Sequence, residues 1–190
     1  MKYLAIIDMQ KDFVSGVLGT EDAQQILPNV IKLVKEYKSN GWRYLFTFDT
    51  HRENYLDTLE GKNLPVPHCI ENTEGWQLAK LESAAPGENL DTRPDSIFTD
   101  TPSGYSYGVT KNTFGYLDWK RWWGELTADD EIEICGLCTD ICVVSNALIL
   151  RALYPNTKIT IRRSCTAGVT PETKEAALKT MEMCQITVVD

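Results

Sequence analysis

The stretch Glu131-Ile132-Glu133-Ile134-Cys135-Gly136-Leu137-Cys138-Thr139-Asp140-Ile141-Cys142-Val143 decides the fold. Residues Glu131–Cys135 are typical of a short buried strand, and the three residues that follow form a glycine-containing turn. A helix is predicted to begin at Thr139 and to end near Leu153. A strand that passes through a short turn directly into a helix is the building unit of α/β proteins.

The same alternation of strand and helix runs along the chain on both sides of this stretch. Strands are predicted at Tyr3–Ile7, Arg43–Phe48, a segment ending near Lys111, Glu131–Cys135, Lys158–Arg162 and Ile186–Val189. Helices are predicted from a cap at Asp22 to about Asn40, at Trp76–Glu82, Leu117–Leu126 and Thr139–Leu153, and after Thr170-Pro171; Asp8–Glu21, Asp49–Gly75 and Ala84–Asp95 are predicted loops. The pattern predicts an α/β fold, a Rossmann-like three-layer α/β/α domain over residues 1–190 with a six-stranded, mostly parallel sheet.

Composition excludes several classes of partner. The chain has 190 residues, a net charge of −8 and six cysteines. The acidic balance argues against binding to nucleic acid or to an anionic membrane surface. The apolar run after Met1-Lys2 is too short for a signal peptide or a membrane span, so we expect a cytoplasmic protein with reduced thiols.

Reactive residue types stand where the predicted strands end. Asp8, Asp49, Lys111 and the turn over residues 136–142 each follow a predicted strand. Because ligands of parallel α/β sheets bind outside the carboxyl ends of the strands, we expect these residues to share one rim.

Cys142 has the position of a nucleophile, in the first turn of a helix that follows a strand. A thiolate there is stabilised by the helix dipole and by free N–H groups, which can also hold a developing oxyanion. Asp8 can serve as the base and Lys111 as the neighbouring cation. On position alone, Cys142 could equally be a small buried apolar residue.

Three motifs resemble one enzyme family. Ile7-Asp8-Met9-Gln10-Lys11-Asp12-Phe13, Gly136-Leu137-Cys138-Thr139-Asp140-Ile141-Cys142-Val143 and Ala167-Gly168-Val169 are similar to motifs of the isochorismatase-like cysteine hydrolases. The resemblance implies a catalytic triad of Asp8, Lys111 and Cys142. It also implies a cis peptide at Leu137–Cys138, with an oxyanion hole formed by the N–H groups of Cys138 and Cys142.

The nicotinamidase branch of that family also implies a metal site. Asp49-Thr50-His51 and His68 resemble its ligands, and these histidines are the only two in the chain. Glu60 is the natural fourth ligand and Asp57 its competitor. A mixed nitrogen and oxygen set suits a divalent ion, with Zn first and Mn or Fe as alternatives.

The resemblance implies a metal-containing amidohydrolase that converts nicotinamide and water to nicotinate and ammonia through a cysteine thioester. Phe13 would wall the substrate ring, whereas Leu64 stands where the branch usually has an aromatic residue. The partner would be a small amide, and the assembly a homo-oligomer. Three alternatives remain: a hydrolase of another small amide or of a vinyl ether, with or without a metal; a redox or zinc protein using Cys135 and Cys138; and a catalytically idle homologue.

Overall fold

Six strands pair in the order β3-β2-β1-β4-β5-β6, and every pairing among them is parallel. The computed structural model describes residues 1–79 and 108–190. Its strands are β1 (Lys2–Ile7), β2 (Arg43–Asp49), β3 (Gly108–Lys111), β4 (Glu131–Leu137), β5 (Lys158–Ala167) and β6 (Thr187–Val189). Its helices are α1 (Lys11–Val14), α2 (Glu21–Ser39), α3 (Leu59–Asn63), α4 (Trp119–Trp123), α5 (Val144–Leu153) and α6 (Pro171–Met183). The predicted α/β class and six-stranded sheet are therefore confirmed.

Two apolar clusters cover the two faces of the sheet, which gives the predicted three layers. Helices α1 and α2 pack on one face, over alternate residues of β1 such as Leu4 and Ile6. Helices α4, α5 and α6 pack on the other face, over Tyr3, Ala5 and Ile7. Because side chains of a strand alternate between faces, β1 supplies both cores. In the described part of the chain no helix is long and apolar enough to cross a membrane.

Local structure departs from the sequence predictions mainly at short elements. Helix α2 is capped by Thr20, whose side chain accepts the N–H of Ala23, and not by Asp22, which lies in its first turn. The predicted helix Leu117–Leu126 is only the five residues of α4, and it ends at Gly124, a residue with a positive φ of 68°. Glycine adopts that backbone conformation without strain, and so it stops the helix early.

The other departures lie around the loops. Residues 76–79 are not helical, because the backbone there bridges Gln10 through Leu78; the rest of the predicted Trp76–Glu82 helix and the predicted loop Ala84–Asp95 lie outside the described residues. The predicted loop Asp8–Glu21 contains α1, and the loop Asp49–Gly75 contains a 3-10 turn (Tyr55–Asp57) and α3. Strand β4 continues to Leu137 and β5 to Ala167, so part of the predicted turn is strand.

The sheet has its topological switch point between β1 and β4, where the chain stops adding strands on one side of β1 and begins to add them on the other. From β1 it passes to β2 and β3 on one side, and it then returns to β4 on the other side. This point is where ligands of open α/β sheets bind, outside the carboxyl ends of the strands. Asp8 follows β1 there, Asp49 and Lys111 are register partners that end β2 and β3, and one π-helical turn (Thr139–Val143) follows β4.

Candidate active site

Asp8, Lys111 and Cys142 meet at the carboxyl edge of the sheet. The Nζ of Lys111 lies 2.6 Å from Asp8 Oδ2 and 3.6 Å from the Sγ of Cys142. The other oxygen of Asp8, Oδ1, accepts a 2.6 Å hydrogen bond from the hydroxyl of Thr47. Asp8 also lies close enough to Cys142 to influence the pKa of its thiol. The predicted triad is thus one buried cluster of a carboxylate, an ammonium and a thiol.

Burial and the neighbouring charges set the protonation of this cluster. Burial raises the pKa of Asp8, and the adjacent Lys111 ammonium opposes that rise. Burial by itself would lower the pKa of Lys111, but the carboxylates of Asp8 and Asp49 raise it above the ordinary lysine value. Burial and Asp8 raise the pKa of Cys142 well above the ordinary thiol value. The resting nucleophile is therefore a neutral thiol, which needs a base to activate it.

The nucleophile turn is shaped by Gly136. Its φ is +116°, and a Cβ there would come within 2.0 Å of the Ile7 carbonyl oxygen, so only glycine fits. The peptide between Leu137 and Cys138 is cis, as the resemblance implied. The Cys138 carbonyl then accepts the N–H of Val143 at 3.0 Å, which closes the π-helical turn. Cys142 therefore sits one residue before that turn ends and α5 follows.

Four potential metal ligands lie together beside the triad. One ligand atom each from Asp49, His51, Glu60 and His68 lies within 4.8 Å of the other three. The Nε2 of His51 lies 2.9 Å from Asp49 Oδ2 and 3.6 Å from Glu60 Oε1, and the Nε2 of His68 lies 3.5 and 3.7 Å from the same two oxygens. Ligand atoms that surround Zn²⁺ tetrahedrally at 2.0–2.1 Å are separated by about 3.3 Å. Asp57 is not part of this cluster.

The donor chemistry of the cluster fits a cation. The His51 Nε2 is buried, and although it lies 2.9 Å from Asp49 Oδ2 it makes no hydrogen bond of proper geometry among the described residues. The Nδ1 of His68 lies 2.8 Å from the Val66 carbonyl oxygen, a contact that leaves Nε2 directed at the cluster. Burial would raise the pKa of Asp49, but His51, His68 and Lys111 hold it below the usual aspartate value. Asp49 is therefore an ionised carboxylate, as metal ligation requires.

Two residues of the first motif that had no assigned role hold the metal ligands in place. The side chain of Gln10 donates to the Asp49 carbonyl at 2.8 Å and accepts the Asp49 N–H at 2.8 Å, so that it clamps this backbone from both sides. The carboxylate of Asp12 accepts the N–H of Cys69, the residue after His68, at 2.8 Å. The only sequence signal for Gln10 and Asp12 was their place in the same motif as Asp8. The fold is what brings the backbone of residues 49 and 69 close to their side chains.

A cavity of about 420 Å³ joins the triad to the metal cluster. Its lining includes Cys142 and Cys138 on one side and Asp49, Glu60 and His68 on the other. The predicted substrate-binding residues Phe13 and Leu64 both line it. The remaining lining residues were missed by the sequence analysis: Leu18, Thr20, Asn63, Phe114, Ile141 and Val169.

The redox alternative finds no support in this geometry. Cys135 is fully buried in the core under α2, and burial raises its pKa well above the ordinary thiol value. All six cysteines are free thiols. Cys138 lines the cavity, but Cys135 is not among the lining residues described.

Comparison with known proteins agrees with this architecture. The model of the Isochorismatase domain family matches residues 2–190, and the chain belongs to that family. The nicotinamidase/pyrazinamidase of Mycobacterium tuberculosis is 26% identical over 203 residues, covering 100% of this chain and 98% of that protein. The crystal structure of nicotinamidase/pyrazinamidase PncA from Bacillus subtilis superposes with a TM-score of 0.78 at 26% identity, covering 100% of this chain and 99% of that one. A pyrazinamidase of Pyrococcus horikoshii in complex with zinc shares the fold, with a TM-score of 0.74, 23% identity and coverage of 100% and 98%.

Proposed function

We propose that this protein is a metal-containing nicotinamidase, which converts nicotinamide and water to nicotinate and ammonia. Its family and its full-length nicotinamidase relatives make the chain an amide-bond hydrolase; the substrate and the metal are the proposal. The observation that carries it is the single cavity in which the Cys142 thiol faces Asp49, Glu60 and His68 of the metal cluster. A thiol and a cation site on one small cavity suit a substrate with a carboxamide and a ring nitrogen.

The cluster supports a divalent ion, with Zn²⁺ first and Mn²⁺ or Fe²⁺ as alternatives. Two imidazoles and two carboxylates supply the ligands, and a structural neighbour is described in complex with zinc. A divalent ion held by these residues would supply a coordination position for the ring nitrogen of the substrate. Phe13 would pack against the pyridine ring of the substrate. It lines the cavity, and its ring lies edge-on to that of His68 with 5.4 Å between the ring centroids.

The triad would perform the chemistry by moving one proton. Asp8 takes the proton of the Cys142 thiol, and the thiolate attacks the carboxamide carbon while Lys111 offsets the negative charge. The carbonyl oxygen becomes an oxyanion, which the N–H groups of Cys138 and Cys142 would stabilise. Asp8 then donates the proton to the departing nitrogen, and ammonia and a thioester result. Asp8 next takes a proton from water, whose oxygen attacks the thioester, and the regenerated thiolate recovers that proton as nicotinic acid leaves; the acid then gives up its proton to the solvent and becomes nicotinate.

Ammonia release from a panel of substrates tests this proposal. Purified protein is incubated with nicotinamide, with benzamide and with an aliphatic amide. A vinyl ether of the isochorismate type is tested in parallel, and its hydrolysis is followed by the carbonyl product because it has no amide nitrogen to release. We expect ammonia from nicotinamide, loss of activity in chelator, and recovery when Zn²⁺, Mn²⁺ or Fe²⁺ is returned. Benzamide lacks the ring nitrogen and is expected to react much more slowly. If nicotinamide and benzamide react at equal rates, and if chelator does not change those rates, the proposed metal dependence is wrong.

The remaining expectations concern assembly. The resemblance to its family supports a homo-oligomer that acts on a small molecule, with no nucleic-acid or membrane partner. Light scattering of the purified chain measures the assembly, and a mass equal to the 21.5 kDa of a single chain would refute it. The cytoplasmic location stays a prediction from the sequence.

A further inference from the structure

The cavity at the active site has two tiers that differ in exposure. In the inner tier, Asp49, His68 and Cys142 have only 2–6% of their surface exposed. Around the mouth, Leu64, Phe114 and Val169 have 38%, 44% and 55% exposed. We call these last three residues the apolar collar. Single exposed apolar residues are ordinary on a protein surface, but three that converge on one cavity indicate a ligand-binding surface.

Each residue of the collar is fixed to the catalytic machinery by hydrogen bonds. The carbonyl of Phe114 accepts from the Nδ2 of Asn146 at 3.1 Å, and the same amide group donates to the Cys142 carbonyl at 2.8 Å. Asn146 is fully buried, and it therefore ties the position of Phe114 to that of the nucleophile.

The other two collar residues are fixed in the same manner. The N–H of Val169 donates to both carboxylate oxygens of Asp140, in the nucleophile turn, at 3.1 and 3.0 Å. The N–H of Leu64 donates to the Glu60 carbonyl at 2.7 Å, and its carbonyl accepts the Tyr55 hydroxyl at 2.9 Å. The backbone that carries the three collar side chains is thus fixed before substrate arrives, and a preorganised backbone lowers the entropic cost of binding.

From this arrangement we infer that the collar is a second subsite, which binds an apolar substituent carried by the substrate ring. The inference rests on the proposed function and extends its substrate class from nicotinamide to alkyl-substituted pyridine carboxamides. A cavity of about 420 Å³ lies within the range of roughly 300–1,000 Å³ found for ligands of several fused or linked groups. The inner tier holds the reacting carboxamide, and the collar remains for the rest of the ligand.

A homologous series of substrates tests the inference. The series carries hydrogen, methyl, ethyl or propyl on the ring carbon that is meta to both the ring nitrogen and the carboxamide, so that neither reacting group is hindered. We expect kcat/KM to rise about two- to fourfold for each carbon added, the gain that partial burial of a methylene provides. In Phe114→Ser and Val169→Ser the ratio of kcat/KM for the propyl compound to that for nicotinamide should fall towards one.

Leu117→Ser is the matched control, because Leu117 is an exposed leucine that does not line the cavity. It should keep the ratio of the wild-type protein. If the wild-type protein hydrolyses nicotinamide but kcat/KM stays flat or falls along the series, the collar is not a subsite and the proposed function still stands.

If no member of the series releases ammonia, the proposed function fails, and binding then decides the inference. Calorimetry with the Cys142→Ala variant measures affinity without turnover. Dissociation constants that fall along the series, and rise again when Phe114→Ser is added, would support the collar. Constants that do not change, or no binding at all, would overturn it.

Discussion

The two halves of the active site are built in different ways. In the triad, Lys111 ends a strand, Asp8 directly follows one, and Cys142 lies in the turn after β4. The contacts within the triad are direct: 2.6 Å from Lys111 to Asp8 and 3.6 Å to Cys142. In the metal cluster only Asp49 ends a strand. The other three ligands, His51, Glu60 and His68, lie in the segment over residues 50–69, which follows β2. That segment contains only a 3-10 turn and the five-residue helix α3.

The two halves are held in place by different interactions. Sheet register aligns Asp49 with Lys111 and Ile7 with Gly136, so the triad follows from strand pairing. A loop has no such register, and its ligands need bonds from outside it. Asp12 supplies one such bond, to the backbone of Cys69, and Gln10 adds two to the backbone of Asp49, the ligand that ends β2. The first motif therefore serves both halves: Asp8 belongs to the triad, and Gln10 and Asp12 position the metal ligands.

Removal of the nucleophile should separate the two halves most sharply. We expect Cys142→Ala to lower kcat for ammonia release by about 10⁴-fold or more, the scale seen when a catalytic nucleophile is deleted. The bound metal should remain at the wild-type stoichiometry, because Cys142 is not in the cluster. Elemental analysis of the purified variant measures it. Cys184→Ala is the control, and equal activity in both variants would refute the mechanism.

Removal of a metal ligand should weaken metal binding and leave the triad intact. We expect His68→Ala to weaken metal binding by at least about 100-fold, more than the loss of a second-layer contact produces. Iodoacetamide should still alkylate Cys142 at the wild-type rate, since Asp8 and Lys111 stay in place.

A pair of acidic residues sharpens this test. Glu60 lies in the cluster and Asp57 does not, although both are in the same segment. Glu60→Ala should weaken metal binding in a chelator competition, and Asp57→Ala should leave it unchanged. The reverse result would move the fourth ligand to Asp57.

A smaller effect is expected at the supporting layer. Asp12→Ala leaves the N–H of Cys69 without its acceptor, and we expect metal affinity to fall about 10- to 100-fold. Asp12→Asn retains an oxygen acceptor and should restore most of that affinity. The control is Glu74→Ala, which removes an exposed ion pair with Lys11 and should change nothing measurable. If Asp12→Asn is as weak as Asp12→Ala, the positioning role is wrong.

The pH profile should show the smallest, graded effect. The base must be ionised, and burial raises the pKa of Asp8. We therefore expect kcat/KM, with metal saturating, to fall tenfold per pH unit below an apparent pKa above the ordinary aspartate value of about 3.9. Lys111 has a pKa above the ordinary lysine value, so its deprotonation should cause no loss up to about pH 10. An acid limb at the ordinary aspartate value would contradict this assignment.

The sequence predictions hold for the strands and the long helices. The long helix α2, the last helix after Thr170-Pro171 and the six strands are predicted because apolar periodicity marks them, although the cap of α2 is Thr20 and not Asp22. The short helices are misjudged. In α4, Trp119 and Trp123 are buried against the sheet, and this packing makes a helix of five residues whose ends the pattern could not mark. Tertiary contacts decide such segments more than propensity does.

The sequence by itself determined the order of strands and helices, the residues at the strand ends and the identity of the motif residues. It left open whether Glu60 or Asp57 joins the cluster, and it assigned no role to Gln10, Asp12, Phe114 or Val169. Only the tertiary structure decided these points. Local pattern sets where a strand ends, but the distance between residues 12 and 69, or 114 and 146, depends on how the whole sheet and its helices pack.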